Sequence, residues 1–563
     1  MSTPHFQPAL TGDILRECNF FELYPFDGGG CFIHRKYIGT LDDMAAAENI
    51  LNGALDDFGG LNQLDFGRYE RWSTIEQSCW LNRMYFLVPL AKYAALKQDG
   101  AVAELCYRIV EEFDTRHPAP ADREAAEAHY RRVVHERDNG YNAHGPEYDA
   151  PVEYIWFDFQ VASRIIHLIH ALRFLDKSPA LTPERRKRFA EMLRQHARCI
   201  YYVEKFCTAP ELNNHQTVRA LALLYACELF RDEEESRQWL PTAMELCRYH
   251  ILNDFLEDGM GYDLSPSYHA FECWIVRDML IIARRNGWNL GEDARKRADA
   301  ALALCRILKQ PDNLSPVIND GYALEMTPFL RSMPQLPGPE KLRLSRSGIA
   351  VRSRGGDYLL FDCSPLLRKT CHYHAGKMGL TLFMGGRPFL VDGGCCSYDD
   401  PEFSLHYKRS AAHSSLTVDG NDDALLSGRY TWPAAPEITL CDWVEDTISA
   451  ALTSNAPGWD GVEWRRTVTA GETSVVICDE VNSRREIAMT FQLMLHSDVQ
   501  VKQDGDGMIL KNHDVVLRLT STLPAVISDA LGFRDFRQQP QLRLLFSSGA
   551  AGGTFGITLE RIA

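Results

Sequence analysis

The chain has 563 residues, 45% of them hydrophobic and 24% charged, which is too long for one hydrophobic core, so two or more domains are expected. A formal net charge of -16 argues against general binding to nucleic acid or to an anionic membrane, and no apolar run approaches the roughly 18 residues of a membrane span. The N-terminal MSTPHFQPALTGDILREC has neither a basic start nor an apolar signal core, so a cytoplasmic location is the expectation. The 16 cysteines fit it: apart from adjacent Cys395 and Cys396 they are scattered singly, and no CxxC pair marks a structural zinc site.

Residues 1 to about 335 read as successive helices. The stretch 76–98 is the first clear one, ended by Asp99-Gly100. In 151–176, Ile155, Phe159, Ala162, Ile166, Ile169 and Leu172 recur every three or four positions and build one apolar stripe. Thr182 followed by Pro183 is a helix start, an N-cap and then proline at the first helical position. Helical patterns follow at 214–231, 233–252, 267–286 and 292–308, and their short connections imply antiparallel hairpins. The proline-rich 332–342 then punctuates the chain. Beyond it the period becomes two, in SGIAVRS, DYLLFD, LTLFM-GG-RPFLVD, SSLTVDG, RRTVTAGETSVVICDEV and QLRLLFSS. An α-domain over 1–338 followed by a large antiparallel β-sandwich over 339–563 is expected.

Four clusters carry candidate chemistry, two in each half. Asn213-Asn214-His215-Gln216 precedes the apolar pattern Val218, Leu221, Ala222, Tyr225 and Leu229. That places it at a helix N-terminus, where backbone N–H groups and the dipole favour an anion, or where it simply caps the helix. The loop from Asp258 through Asp263 to Tyr268 and His269 is shaped by glycine and proline, a common setting for functional groups. His372 and His374 stand two apart, so on an extended segment both face one side. Lys408, Arg409 and His413 form the fourth cluster. His374, Asp392 and His413 together offer two imidazoles and a carboxylate, a donor set suited to zinc.

The order of helical domain, Asn-His, Ser-Pro-x-Tyr-His, His-x-His, Leu-Val-Asp-x-Gly and Ala-His-Ser resembles the heparinase II/III-like polysaccharide lyases, which include heparin/heparan lyases and oligoalginate lyases. The resemblance implies an incomplete (α/α) toroid followed by an antiparallel β-sandwich. It also implies roles. Asn214 binds a uronate carboxylate with His215 as its partner, Tyr268 is the catalytic tyrosine, and His372 assists proton transfer or charge neutralisation. His374, Asp392 and His413 become the ligands of a structural zinc. Asn213, His269, Arg409 and one of Tyr398 and Tyr407 would contact the sugar. The chain departs from the family where Ala375-Gly376-Lys377 follows the His-x-His pair, and where Asp392-Gly-Gly and His413-Ser-Ser replace the more usual Asp-Pro-Gly and His-Asn-Thr.

The implied reaction is β-elimination on an acidic oligosaccharide or polysaccharide. Donors on the uronate carboxylate let charge spread as the C5 proton leaves, and an acid protonates the departing O4. Tyrosine can do both jobs beside a positive charge. A hydrolase of unsaturated uronides, using Asp258 and Asp263, is the enzymatic rival, and a non-catalytic glycan-binding protein the other. The negative charge points to short substrates trimmed from one end, held by local donors such as Lys408 or Arg409.

Overall fold

A computed structural model describes residues 38, 40, 42–66, 81–139, 155–207, 210–211, 214–326, 330, 338–368, 372–396, 400–534 and 537–563. It divides into two compact units, Met1–Phe255 with Phe271–Asp299, and Leu256–Ala270 with Ala300–Ala563. The helices are α1 (Asp43–Asn49), α2 (Leu87–Lys97), α3 (Gly100–Arg116), α4 (Arg123–Asn139), α5 (Asp158–Phe174), α6 (Pro183–Phe206), α7 (Asn214–Leu229), α8 (Glu234–Asn253), α9 (Pro266–Asn286) and α10 (Glu292–Leu308). The strands run from β1 (Lys341–Leu344) onward, so helix gives way to strand between Leu308 and Lys341.

In the first unit, α7 is the central helix. It packs on α8 and α5, α5 packs on α2, and α2 on α3. Every residue of α7 from Gln216 to Leu229 is buried, so its sequence is apolar nearly all round rather than on one stripe. The α6 start is as expected: the Thr182 hydroxyl accepts from the Arg185 N–H at 3.3 Å, and Pro183 occupies the first turn. The expected helix over 76–98 is shorter in its described part. Leu81 and Asn82 are helical, Met84 then takes a left-handed φ of 55° and breaks the run, and the helix resumes at Leu87. Asp99 does not merely end it: its carboxylate accepts from the N–H groups of Ala101 and Val102 and caps α3.

The second unit holds the sandwich. β1, β2 (Ile349–Arg354), β3 (Asp357–Asp362), β4 (Gly379–Met384) and β5 (Arg387–Leu390) form a five-stranded antiparallel meander. The other sheet is built around two long strands, Ser474–Met494 (21 residues) and Arg537–Arg561 (25 residues), paired from Ser474↔Glu560 to Met494↔Arg543. Phe361, Leu380, Leu382 and Phe389 from the meander share one core with Trp464, Ile477, Phe491, Leu517 and Leu544 from the larger sheet. The meander's other face is also covered: Val351, Tyr358, Leu360 and Phe383 pack with Met260, Leu264, Leu304, Leu308 and Ile318. Burial on both faces explains why DYLLFD and GLTLFM are nearly continuous apolar runs. The fold is a helical toroid domain followed by an antiparallel β-sandwich, as expected.

Candidate active site

The centre of the site lies within the second unit and begins with a residue the sequence reading passed over. Asp320 is fully buried, and its carboxylate accepts from Nδ1 of His372 at 2.8 Å and from Nε2 of His374 at 2.7 Å. Both imidazoles therefore face one side of the 372–374 segment, as the spacing of two requires, while Tyr373 between them packs against Trp432 on the other. The Lys408 ammonium completes the cluster, 3.3 Å from Oδ1 of Asp320 and wholly buried, beside the rings of Phe403 and Tyr430. Burial works against a charged Asp320, but Lys408 and the two imidazole bonds hold its carboxyl far below the usual range.

Tyr268 stands in the first turn of α9, and its ring is stacked on His372 with centroids 4.3 Å apart. It is buried, whereas His372 keeps 21% of its side chain exposed. Burial opposes protonation of His372, yet the Asp263 and Asp320 carboxylates raise its pKa above the ordinary histidine value. The stacked pair is thus a phenol against a ring that favours its cationic form. The turn Asn319-Asp320-Gly321-Tyr322 fixes this arrangement. The Asn319 amide donates to the Leu264 carbonyl at 2.8 Å and accepts from the His374 N–H at 3.2 Å. The Tyr322 N–H donates to the Ser267 hydroxyl at 3.1 Å. Loop and His-x-His segment are tied to the same four residues.

His374 is buried and pushed down to about 4 by burial, against the pull of Asp320, so its ring is neutral at pH 7. With Nε2–H committed to Asp320, the lone pair is on Nδ1, which has no hydrogen-bond partner. An orphaned, buried imidazole nitrogen whose other nitrogen is held by a carboxylate is the arrangement a metal ligand takes. Nearby, Nδ1 of His413 is 2.7 Å from Asp392 and its Nε2 is 3.0 Å from the Tyr407 carbonyl; the His374 and His413 rings are 5.4 Å apart. By donor type His374, Asp392 and His413 suit zinc, but both ring nitrogens of His413 are occupied here, and the three residues are not one of the compact ligand groups among the described residues. Asp320, His374 and Cys395, by contrast, form a compact group of candidate ligands. There the Lys408 ammonium already neutralises the carboxylate, and burial drives the Cys395 thiol well up, so that group reads as a hydrogen-bonded ion pair.

Other expected contacts with the sugar have different occupations. His269 is buried, its Nδ1 accepts from the Gly261 N–H and its Nε2 meets the Ala301 carbonyl, both at 3.0 Å, so it pins the loop. Tyr407 is wholly buried and donates to the Gly532 carbonyl at 3.1 Å. Lys408 serves Asp320 rather than a ligand. Arg409 spends its guanidinium on Asp422 at 3.2 Å and the Ser404 carbonyl. Asp258, the hydrolase candidate, accepts from the Arg346 and Ser347 N–H groups and the Ser347 hydroxyl at 2.7–2.8 Å, which leaves it a brace. Asn213 and Tyr398 lie outside the described residues. A cation the sequence reading missed is Arg368, partly exposed, with its guanidinium 4.2 Å over Tyr262 and 3.9 Å from Asp263.

In the helical unit, Asn214 and His215 open α7, the expected helix N-terminus, and both are partly exposed. The His215 ring is 5.1 Å from that of Phe159, and the Arg83 guanidinium lies 4.4 Å over the same ring. A helix N-terminus, an amide, an imidazole and a nearby guanidinium favour an anion.

Residues 58–336 match the heparinase II/III N-terminus, and residues 337–546 the C-terminal heparinase II/III-like domain. A heparin-sulfate lyase of Pedobacter heparinus is 22% identical over 355 residues, 56% of this chain and 50% of the relative. One of Bacteroides thetaiotaomicron is 20% identical over 423 residues, 64% of this chain and 58% of the relative. The chain thus spans about half the length of one and 58% of the other. The crystal structure of heparinase III superposes with a TM-score of 0.70 at 15% identity, over 89% of this chain and 79% of that one. With both halves matched in order, the chain belongs to the heparinase II/III-like family.

Proposed function

We propose that this protein is a lyase that cleaves uronic-acid-containing glycans of the glycosaminoglycan type by β-elimination. The observation that carries the reading is the Tyr268 ring stacked on His372, with Asp320 fixing that histidine. The two relatives named heparin-sulfate lyases support the substrate class. In this reading Asn214 and His215, at the N-terminus of α7, hold the uronate carboxylate and stabilise the charge that develops when the C5 proton leaves. Tyr268, as the phenolate, takes that proton and delivers it to O4 as the C4–O4 bond breaks, leaving a C4=C5 double bond and the phenolate regenerated. His372, whose protonation the Asp263 and Asp320 carboxylates favour, offsets negative charge on the tyrosine oxygen during the transfer when it carries its second proton. Its Nδ1 is committed to Asp320, so Nε2 is the ring nitrogen that serves the reaction. Arg368 supplies a partly exposed cation on the loop side of the site.

His374, Asp392 and His413 are the residues that would hold a zinc ion. When bound, the ion supplies a fixed positive charge and a brace for the His-x-His segment. Removing the Tyr268 hydroxyl tests the whole assignment. Tyr268→Phe keeps the fold and loses at least about 10²–10⁴ in rate, the range for a proton carrier. A Phe variant with most of the wild-type turnover contradicts the reading.

A further inference from the structure

From the way one carboxylate serves both histidines, we infer that Asp320 is the positioning residue of the reaction, fixing the orientation and tautomer of His372 and, through its other oxygen, of His374. The inference rests on the lyase reading above and adds a residue to it. Asp320 holds His372 at two points: its own N–H donates to the His372 carbonyl at 3.0 Å, and its Oδ2 accepts from Nδ1 at 2.8 Å. A ring held at both backbone and side chain has little freedom to leave the face of Tyr268. The second oxygen, 2.7 Å from Nε2 of His374, turns that ring so that its orphaned Nδ1 points away from Asp320. Carboxylates in this place set which imidazole nitrogen carries the proton and make the other more basic.

The surroundings show what keeps the carboxylate in place. Asp320 is 0% exposed, and a bare charge there would be costly without a partner. Lys408 is that partner, also 0% exposed, and it reaches the Tyr373 carbonyl at 3.2 Å, between the two histidines. The ammonium is therefore bound to the same segment that the carboxylate orients. Neighbouring Asn319 tolerates its left-handed φ of 55° as asparagine commonly does, and this sends its amide to Leu264 while Asp320 faces the histidines. At Gly321 an added Cβ would lie 2.6 Å from the Ile318 carbonyl oxygen, so the turn closes only with glycine there. An Asn-Asp-Gly turn is what a sharp, side-chain-bonded reversal needs. Here its aspartate is aimed inward.

The test compares Asp320→Asn with Asp320→Asn/Lys408→Met, in which the core stays neutral, and with His372→Ala, all in the full chain. An amide puts one oxygen and one NH2 where the carboxylate has two oxygens, so it can accept from one histidine but must donate to the other, which reverses that ring's tautomer. In either folded Asp320 variant, kcat is expected to fall about 10–100-fold, with KM changed by no more than about threefold. A folded variant that keeps kcat within threefold of wild type, or whose loss lies in KM, overturns the positioning role. The His372→Ala arm separates the two levels. If it retains full turnover, the lyase reading itself fails, whereas an inactive His372→Ala beside an active Asp320→Asn defeats only the inference. On the unaltered protein, histidine ring-nitrogen NMR, with the signal assigned through His372→Gln, should find Nδ1 of His372 protonated. A lone pair at that nitrogen is incompatible with the proposal.

Discussion

At the scale of single residues, the site is defined by what each polar atom is already doing. His374 has one nitrogen committed and one orphaned; His269 has both committed to backbone; Tyr407 gives its hydroxyl to Gly532. Residue type and order pointed to all three as site residues, and only partner geometry distinguishes them. The same holds for Lys408 and Arg409, adjacent cations of which one is buried on Asp320 and the other bonded to Asp422. Asp320 was illegible for a complementary reason: an aspartate before glycine is an ordinary turn signal, and nothing local shows that the turn folds inward. His372 and His374 were legible from their spacing of two, whereas Tyr268 was marked only by the resemblance of its Ser-Pro-x-Tyr-His motif to the heparinase II/III-like lyases. The orphaned Nδ1 leads to a direct expectation. Protein purified with zinc present should carry one zinc per chain by elemental analysis, and His374→Ala should bind it about 10–100-fold more weakly or not at all. Full zinc content in that variant contradicts the assignment of His374 as a ligand.

At the scale of elements, the site depends on the sandwich core beneath it. Arg466 on the strand Val462–Ala470 is fully buried and grips Asp479 through two bonds of 2.8 and 3.1 Å. Its remaining nitrogen donates to the Met378 carbonyl at 2.9 Å and the Ser414 carbonyl at 2.8 Å. Those carbonyls follow the His-x-His segment and His413 closely in sequence, so one guanidinium ties both candidate ligand segments to the core. At Gly376 the two segments meet: φ is +83°, and an added Cβ would lie 2.8 Å from the His413 ring. Arg466→Met leaves Asp479 charged and unpaired in the core, which should cost about 3–5 kcal/mol. The denaturation midpoint reports it, and a midpoint unchanged from wild type would show that the pair adds nothing. Strand positions were readable from their period of two. The lengths of the two longest strands were not, since a β-bulge between Asn482 and Ile487 and four glycines at Gly549, Gly552, Gly553 and Gly556 interrupt the pattern without ending the ladder. In the helical half, the expected helix breaks at the left-handed Met84, and the signal passed over was Pro89, which sits in the first turn of the resumed helix and could not have continued an unbroken one.

At the scale of the whole molecule, charge and reaction class are the issues. On the proposed reading, a formal charge of -16 repels a polyanionic glycan at long range, and local donors such as Arg368 are left to hold it. Short uronate oligosaccharides should accordingly show a higher kcat/KM than a long polymer at low ionic strength. Added salt should narrow that gap as the Debye length shrinks to about 10 Å at 0.1 M. A polymer preferred at low salt, with a ladder of mid-sized early products, opposes this. The reaction class rests on the tyrosine–histidine stack as the proton-transfer pair, with Asp258, one of the two carboxylates a hydrolase would need, engaged as a brace. The most direct measurement is to cut a heparan-type oligosaccharide in heavy-oxygen water while following ultraviolet absorbance and product mass. Elimination predicts a rising absorbance from the new C4=C5 bond, product masses that sum to the substrate, and no heavy oxygen in either fragment. Products that carry one solvent oxygen, with no gain in absorbance, would mean hydrolysis and contradict the account.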